Sequence, residues 1–217
     1  MSMEFTAVLA SSSKNIADVP RPLLHELDRN GFRRDGAFVR AGYDPERGVF
    51  DEADDAQEVI GLDELESKLE PAGDWRGFAV EFLRDGTTFY LLVVQVRQRV
   101  LSCWVDVSAR SLSRLFRSDD QHRFYAFLCA AARACEAAGG FGDLDLDFAP
   151  ILPDQVVPAI RDNPQRPGAT PWLGILPTAL FPEKQVHEFA GDEYRVLRSP
   201  IGFWILEANE LVDFCSR

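Results

Sequence analysis

The sequence predicts an α+β fold: a mixed, mainly antiparallel sheet with a central meander over residues 77–108, covered by an amphipathic helix over residues 119–138. Two patterns support this prediction. Three consecutive β-type runs are joined by short turns, which is how antiparallel neighbours are connected. A long run with helical periodicity follows, and its apolar face must be buried against another element.

The meander begins with an alternating run at 77–83, and Asp85 and Gly86 then predict a tight hairpin turn, which requires positive φ at its centre. The next run, 87–96, is apolar on both faces. Such a strand is expected at the centre of a sheet that is covered on both sides. After a polar turn, residues 100–108 alternate again and complete the third strand.

Shorter elements precede the meander. Prolines are tolerated near the start of a helix, and Gly31 is a suitable residue to end one. Asp35 and Gly36 predict a second tight turn, and residues 43–57 are expected to form a long exposed loop. The predicted elements are strands at 4–10 and 37–40 and helices at 20–30 and 63–70.

The helix after the meander carries an N-terminal signature. Ser118 and Gln121 match a capping box, in which two side chains satisfy the first free amides reciprocally. Gly139 and Gly140 are expected to end this helix. Residues 143–148 then predict a strand by alternation, with leucines facing the core and aspartates facing out.

From Pro150 onward, prolines divide the chain into short pieces. We predict a strand at 172–176, a helix within 181–189, a hairpin of 194–197 and 202–206, and a terminal helix at 207–214. One α+β domain over residues 1–217 is expected, with a C-terminal third that wraps the sheet. The alternative is a core domain at 1–149 and a proline-rich C-terminal subdomain at 150–217.

Composition favours a cytoplasmic protein. The hydrophobic content of 46% is ordinary for a globular chain. No apolar run approaches the roughly 20 residues of a membrane-spanning helix, and the N-terminal residues lack the pattern of a signal peptide. The cysteines have no paired spacing and are expected to be buried free thiols in a reducing compartment. They are Cys103, Cys129, Cys135 and Cys215.

The net charge of −12 is concentrated in one segment. Residues 44–74 hold twelve acidic and two basic residues, a net charge of −10, which leaves −2 for the rest of the chain. Residues 84–133 hold eight Arg and four Asp. The acidic segment therefore has three interpretations: a solvated surface, an internal partner of the Arg-rich region, or a docking surface for a basic protein. This charge balance argues against nucleic acid as a partner.

The sequence contains no established catalytic motif. His25 and His187 each precede a glutamate, as in half of a zinc-protease motif, but the second histidine is missing in both places. Asp143, Asp145 and Asp147 alternate along a predicted strand, which spaces them about 6–7 Å apart, too far to ligate one ion together. We therefore predict no cofactor and no metal, and an enzyme is the less favoured class.

The leading hypothesis is a non-enzymatic acidic protein-binding protein with a basic partner. In composition the chain is similar to many bacterial immunity proteins and antitoxins, which mask basic toxin surfaces. The alternative is a small cytosolic hydrolase or transferase with a spatially assembled site, which a deep pocket holding a histidine and two polar partners would favour. The meander itself is expected to be scaffold. The predicted partner-binding residues are Asp51, Glu52, Asp54, Asp55, Glu58, Asp143, Asp145 and Asp147.

Overall fold

A computed structural model describes residues 3–12, 14–44, 49–50, 57–146 and 149–216. Its strands have from two to eleven residues, and the longest lies in the middle third of the chain. They are β1 (Glu4–Ser11), β2 (Arg33–Ala41), β3 (Tyr43–Asp44), β4 (Val49–Phe50), β5 (Glu58–Val59), β6 (Gly77–Arg84), β7 (Thr87–Arg97), β8 (Val100–Ser108), β9 (Ala137–Leu144), β10 (Leu173–Pro177), β11 (Tyr194–Arg198) and β12 (Phe203–Ala208).

Ten of these strands form one sheet, in the order β11-β12-β10-β9-β1-β8-β7-β6-β2-β5. Every neighbouring pair is antiparallel. The predicted α+β class and the meander of β6, β7 and β8 are therefore confirmed. Asp85 and Gly86 join β6 to β7 with φ of 48° and 74°, the positive values that a tight hairpin turn requires.

The helices lie on both faces of the sheet. They are α1 (Pro20–Arg29), α2 (Leu62–Leu69), α3 (Ala109–Arg117), α4 (Gln121–Ala134), α5 (Val156–Arg161), α6 (Glu183–Ala190) and α7 (Asn209–Ser216). Buried side chains of α1, α2, α3, α4 and α7 belong to one hydrophobic core, and those of α5 and α6 belong to a second core. We call these two sides of the sheet the major face and the minor face.

Strand β7 contributes to both cores, as its pattern predicts. Phe89, Leu91 and Val93 pack into the core of the major face, where the rings of Phe89 and Phe127 stack with centroids 4.7 Å apart. Leu92 belongs to the core of the minor face. Because β7 has hydrogen-bonded neighbours on both sides and apolar cover on both faces, it is a central strand.

The helix that covers the meander is shorter than predicted. It begins at Gln121 and ends at Ala134, and the predicted capping box does not form. The hydroxyl of Ser118 donates instead to the carbonyls of Arg114 and Leu115, at 3.0 and 3.2 Å, and so closes the end of α3. Because the Ser118 hydroxyl bonds to the preceding turn, it does not cap the N-terminus of α4.

The glycines expected to end this helix lie within β9 instead. A Cβ at Gly140 would stand 2.4 Å from the carbonyl oxygen of Val8, so glycine is required by the close approach of β1. The strand predicted at 143–148 is wrong in extent over the described residues, because β9 runs from Ala137 to Leu144 and Asp145 leaves it with φ of 49°. Residues 147–148 of that prediction lie outside the described residues. Asp143 is fully buried, so the prediction that it faces out is also wrong.

Two further predictions need correction. Asp35 and Gly36 form no hairpin turn, since they lie inside β2, where the pairing with β6 shifts register between Asp35 and Val39. The part of the chain after Pro150 extends the sheet as well as covering it. It adds β10, β12 and β11 to the edge beyond β9 and places α5 and α6 on the minor face.

Candidate functional site

A row of polar side chains crosses the minor face of the sheet. The strand register places Asp143 opposite Thr6, Thr6 opposite Asp106, Asp106 opposite Tyr90, and Tyr90 opposite Glu81. Neighbouring strands lie roughly 4.8 Å apart, so these five residues form one continuous line across β9, β1, β8, β7 and β6. We call this line the polar row.

The polar row borders an apolar one. Two residues along each strand, on the same face, stand Phe141, Val8, Trp104, Leu92 and Ala79, which all belong to the core of the minor face. The minor face therefore changes from buried and apolar to polar within one step along the strands. Side chains at this boundary are partly desolvated, which strengthens their electrostatic interactions.

Asp106 is a buried member of the polar row whose carboxylate is only partly hydrogen-bonded. It is only 9% exposed. The hydroxyl of Thr6 donates to its carboxylate, but Oδ1 has no hydrogen-bond partner within the described part of the chain. Burial raises the pKa of Asp106 to about 6, and the nearby carboxylate of Glu4 adds to the rise. A buried acceptor left without a donor costs about 1–3 kcal/mol.

The neighbours of Asp106 on the open side are also acidic or phenolic. Glu81 is exposed, and Glu4 and Tyr90 are half-buried. Burial raises the pKa of Tyr90, and the charges of Asp106 and Glu81 raise it further. The phenol is therefore neutral at physiological pH and retains its hydrogen as a donor.

A cleft of about 460 Å³ lies over this end of the polar row. Glu4, Glu81, Tyr90 and Asp106 line it, together with residues of the β6–β7 turn and the start of α3. None of the described residues that line it is Lys, Arg or His. Three carboxylates in a partly desolvated cleft generate a negative potential, so the cleft is suited to a cationic group and disfavours an anion.

Asp143, at the other end of the polar row, has the opposite environment. Asn163 Nδ2 donates to its Oδ2 at 2.7 Å, and Arg166 Nη1 lies 3.2 Å from both carboxylate oxygens. The backbone N–H of Leu144 adds a bond to Oδ1 at 2.8 Å. Burial still raises the pKa of Asp143, and these partners oppose that rise. This residue is structural and cannot face a partner directly.

A second fully buried carboxylate, Glu207, is also paired with an arginine, although its Oε1 accepts no hydrogen bond from the described residues. The hydroxyl of Tyr125 donates to its Oε2, and Arg195 Nη2 lies 2.5 Å from its Oε1. Arg195 stands directly opposite Glu207 on the edge strand β11. This cluster ties α4 to the edge of the sheet on the major face.

The structure places the other predicted partner-binding residues in separate locations. Glu58 is exposed on β5 at the far edge of the sheet, opposite Val39. Asp145 is exposed, and its Oδ1 accepts a hydrogen bond from the N–H of Glu4 at 3.1 Å, so it lies beside the cleft. The predicted residues Asp51, Glu52, Asp54, Asp55 and Asp147 lie outside the described residues.

The described part of the acidic segment forms ion pairs mainly with α1. Arg21 lies 3.0 Å from Asp63 and 2.6 Å from Glu66. Lys68 and Asp74 form a weaker pair at 4.0 Å. No described residue of 57–74 forms an ion pair with the Arg-rich region 84–133. In this part of the chain, the internal partner of the acidic segment is therefore Arg21.

The described histidines and cysteines lie in different environments. His25, His122 and His187 are all exposed, and His25 lines an open cleft of about 560 Å³ together with Asp28 and Arg34. The four cysteines are buried and free, as predicted, and burial raises the pKa of Cys129 and of Cys215 to about 11. Among the described residues, no group of three or more His, Cys, Asp or Glu is placed to hold a metal ion.

Sequence reasoning missed Glu81, Tyr90 and Asp106 because it assigned the meander to scaffold. The available signal was Asp106 itself. It stands between Val105 and Val107 in a strand whose other face is apolar, and an aspartate inside a central strand is rarely buried without a partner.

Comparison with known proteins does not assign the chain to a family. No protein-family model matches it, and no curated protein is significantly similar to it. None of the described helices combines the length and the apolar character needed to cross a bilayer.

Proposed function

We propose that this protein is a non-enzymatic binding protein whose acidic surface recognises a basic protein partner, as immunity proteins and antitoxins do. The observation that carries the proposal is the cleft over Asp106, which three carboxylates line and whose described lining holds no Lys, Arg or His. Carboxylates held in this way attract and orient a complementary positive surface. The exposed Asp145 beside Glu4 extends the same negative patch.

The overall charge supports the same proposal. The chain has a net charge of −12, and most of that excess lies in residues 44–74. The described acids of this segment are only partly neutralised, since the exposed Glu58, Glu64 and Glu70 have no ion pair with any described residue. A basic partner would gain both long-range attraction and local contacts.

The test is co-purification of the tagged protein from its source cell, followed by affinity measurement with the partner that mass spectrometry identifies. We expect a basic protein whose dissociation constant rises at least tenfold between about 0.05 and 0.3 M salt, because salt screens exposed charges. An affinity that does not change with salt would contradict the proposal, as would a partner of acidic surface.

A charge-reversal variant localises the interaction. Glu81→Lys places a positive charge at the mouth of the cleft and should weaken partner binding by at least tenfold. Asp213→Lys makes the same change in net charge at an exposed position of α7, which packs on the major face, and should have little effect. Equal losses in the two variants would show that only overall charge matters.

A further inference from the structure

We infer that the cleft over Asp106 binds one arginine side chain of the basic partner, whose guanidinium donates to the unpartnered Oδ1 of Asp106. The inference rests on the proposed function and makes it specific. Asp106 is 9% exposed and lines the cleft. Its Oδ1 has no donor among the described residues and is closed to solvent, so a rotation of the carboxylate brings this oxygen to the guanidinium. Buried side-chain acceptors without a donor are uncommon in folded proteins.

The charge of the cleft decides the class of ligand. Glu4, Glu81 and Asp106 line it, and α3 contributes the hydroxyl pair of Ser108 and Ser111, in which Ser108 Oγ already accepts the Ser111 N–H at 3.2 Å. The start of a helix bears a partial positive charge, but this hydroxyl cap occupies the donor that faces the site. The remaining side-chain groups are the three carboxylates and the hydroxyls of Thr88, Ser111 and Tyr90, so the net negative charge favours a cation with several donors.

The ion pair between Asp143 and Arg166 shows why arginine is preferred to lysine as the ligand of Asp106. On the same row, on the other side of Thr6, Asp143 is satisfied by Arg166, whose Nη1 lies 3.2 Å from both carboxylate oxygens. A guanidinium is planar, has donors in a fixed fork, and stacks on aromatic faces. Tyr90, directly opposite Asp106, supplies an aromatic ring beside the carboxylate.

Binding should depend on pH through Asp106. Burial raises the pKa of the Asp106 carboxyl to about 6. The groups that interact with this carboxylate are Thr6 and Glu4 on β1, Tyr90 on β7 and Cys103 on β8. A guanidinium binds the ionised form. The affinity should therefore fall roughly tenfold between pH 7.5 and pH 5, where only about a tenth of the carboxylate is ionised.

The experiment uses the full chain and three capped tripeptides, Gly-Arg-Gly, Gly-Lys-Gly and Gly-citrulline-Gly, titrated by NMR at constant ionic strength. We expect the arginine peptide to shift resonances of β7 and β8 with the highest affinity. The lysine peptide should bind more weakly, and the uncharged citrulline peptide should not bind measurably. Asp106→Asn should weaken binding of the arginine peptide at least tenfold, whereas Asp28→Asn, an equal charge change at an exposed position of α1, should not.

Other outcomes overturn the inference. Equal binding of arginine and citrulline peptides would do so, and so would equal effects of Asp106→Asn and Asp28→Asn. If Asp106→Asn does not fold, the exposed Glu81→Gln provides the same comparison with an expected loss of a few-fold. If a basic partner binds in a salt-sensitive way and its affinity is unchanged by Asp106→Asn, the proposed function is supported and this inference is wrong. Arginine-peptide binding in the cleft without any basic partner would do the reverse.

Discussion

The two aspartates that flank Thr6 on the polar row differ in how their charge is balanced. Asp143 is fully buried and receives donors from Asn163, Arg166 and the chain itself. Asp106 is nearly as buried but has the Thr6 hydroxyl as its donor and an Oδ1 that no described group satisfies. Asp143 shows that a buried carboxylate in this sheet can be fully hydrogen-bonded, so burial alone does not account for the unpartnered Oδ1 of Asp106.

Glu207 strengthens this comparison. Like Asp143 it has 0% exposure, and both are neutralised by arginines whose side chains remain 52% exposed, Arg195 and Arg166 respectively. In both places a surface arginine extends its guanidinium over a buried acid. Asp106 has the same kind of burial without such an arginine, and an external one would complete the pattern. Binding sites commonly retain unfavourable features of this type at a cost in stability.

The largest expected effect is from breaking the balanced pair. Arg166→Met keeps much of the aliphatic stem but removes the charge, which leaves Asp143 buried without its cation. We expect the free energy of unfolding at pH 7 to fall by about 2–4 kcal/mol, at or below the range for fully buried pairs because Arg166 is half exposed. Urea denaturation measures the change.

The matched control for this prediction is Arg110→Met, which removes an exposed arginine of α3 for which no ion pair is described. It should change stability by less than about 0.5 kcal/mol. The double variant with Asp143→Asn should recover part of the loss, since no buried charge remains. If Arg166→Met costs no more than its control, Asp143 does not depend on its guanidinium.

The second effect, of the opposite sign, is at Asp106. Its pKa of about 6 in the folded chain is above the ordinary value of 3.8, so ionisation favours the unfolded state. Its contribution to stability is therefore complete below pH 4 and is lost as pH rises through 6. Relative to wild type, Asp106→Asn should become more stable by about 2 kcal/mol between pH 4 and pH 8.

Thermal or urea unfolding across that pH range provides the test. The diagnostic quantity is the change with pH of the difference between variant and wild type, which a uniform packing defect does not produce. A difference that stays constant from pH 4 to pH 8 would mean that Asp106 is not held in a desolvated position. Asp106→Asn would then be an unsuitable probe of the cleft.

Local patterns in the sequence predicted the meander well because each one had a single physical cause. Asp85 and Gly86 determined one turn, and the two-sided apolar run of β7 determined its central place. The limits of α4 and β9 were mispredicted because they depend on a distant contact. Gly140 is in a strand because β1 packs against it, and no periodicity within residues 135–148 encodes that neighbour.

The polar row was inaccessible to sequence reasoning for a related reason. Its five members come from five strands, and their alignment depends on the register of four separate pairings. Alternation along β8 puts Asp106 on the face opposite to Val105 and Val107, but it does not show that Tyr90 and Glu81 lie in the same row. Whether an acid on that face is paired, as Asp143 is, depends on a loop twenty residues further along the chain.

The smallest expected effect concerns the residue that separates the two aspartates. Thr6→Val preserves shape but removes the hydroxyl that donates to Asp106, so the carboxylate loses its described donor. Stability at pH 8 should fall by about 1 kcal/mol. The pKa of Asp106, followed by carbon NMR of the carboxyl group, should rise above its wild-type value, whereas that of Asp143 should stay the same because its donors are elsewhere. Thr88→Val, at an exposed position of β7, serves as control and should leave both pKa values unchanged. A rise at Asp143 as large as that at Asp106 would show that the two carboxylates titrate as one unit, and the contrast between them would then be false.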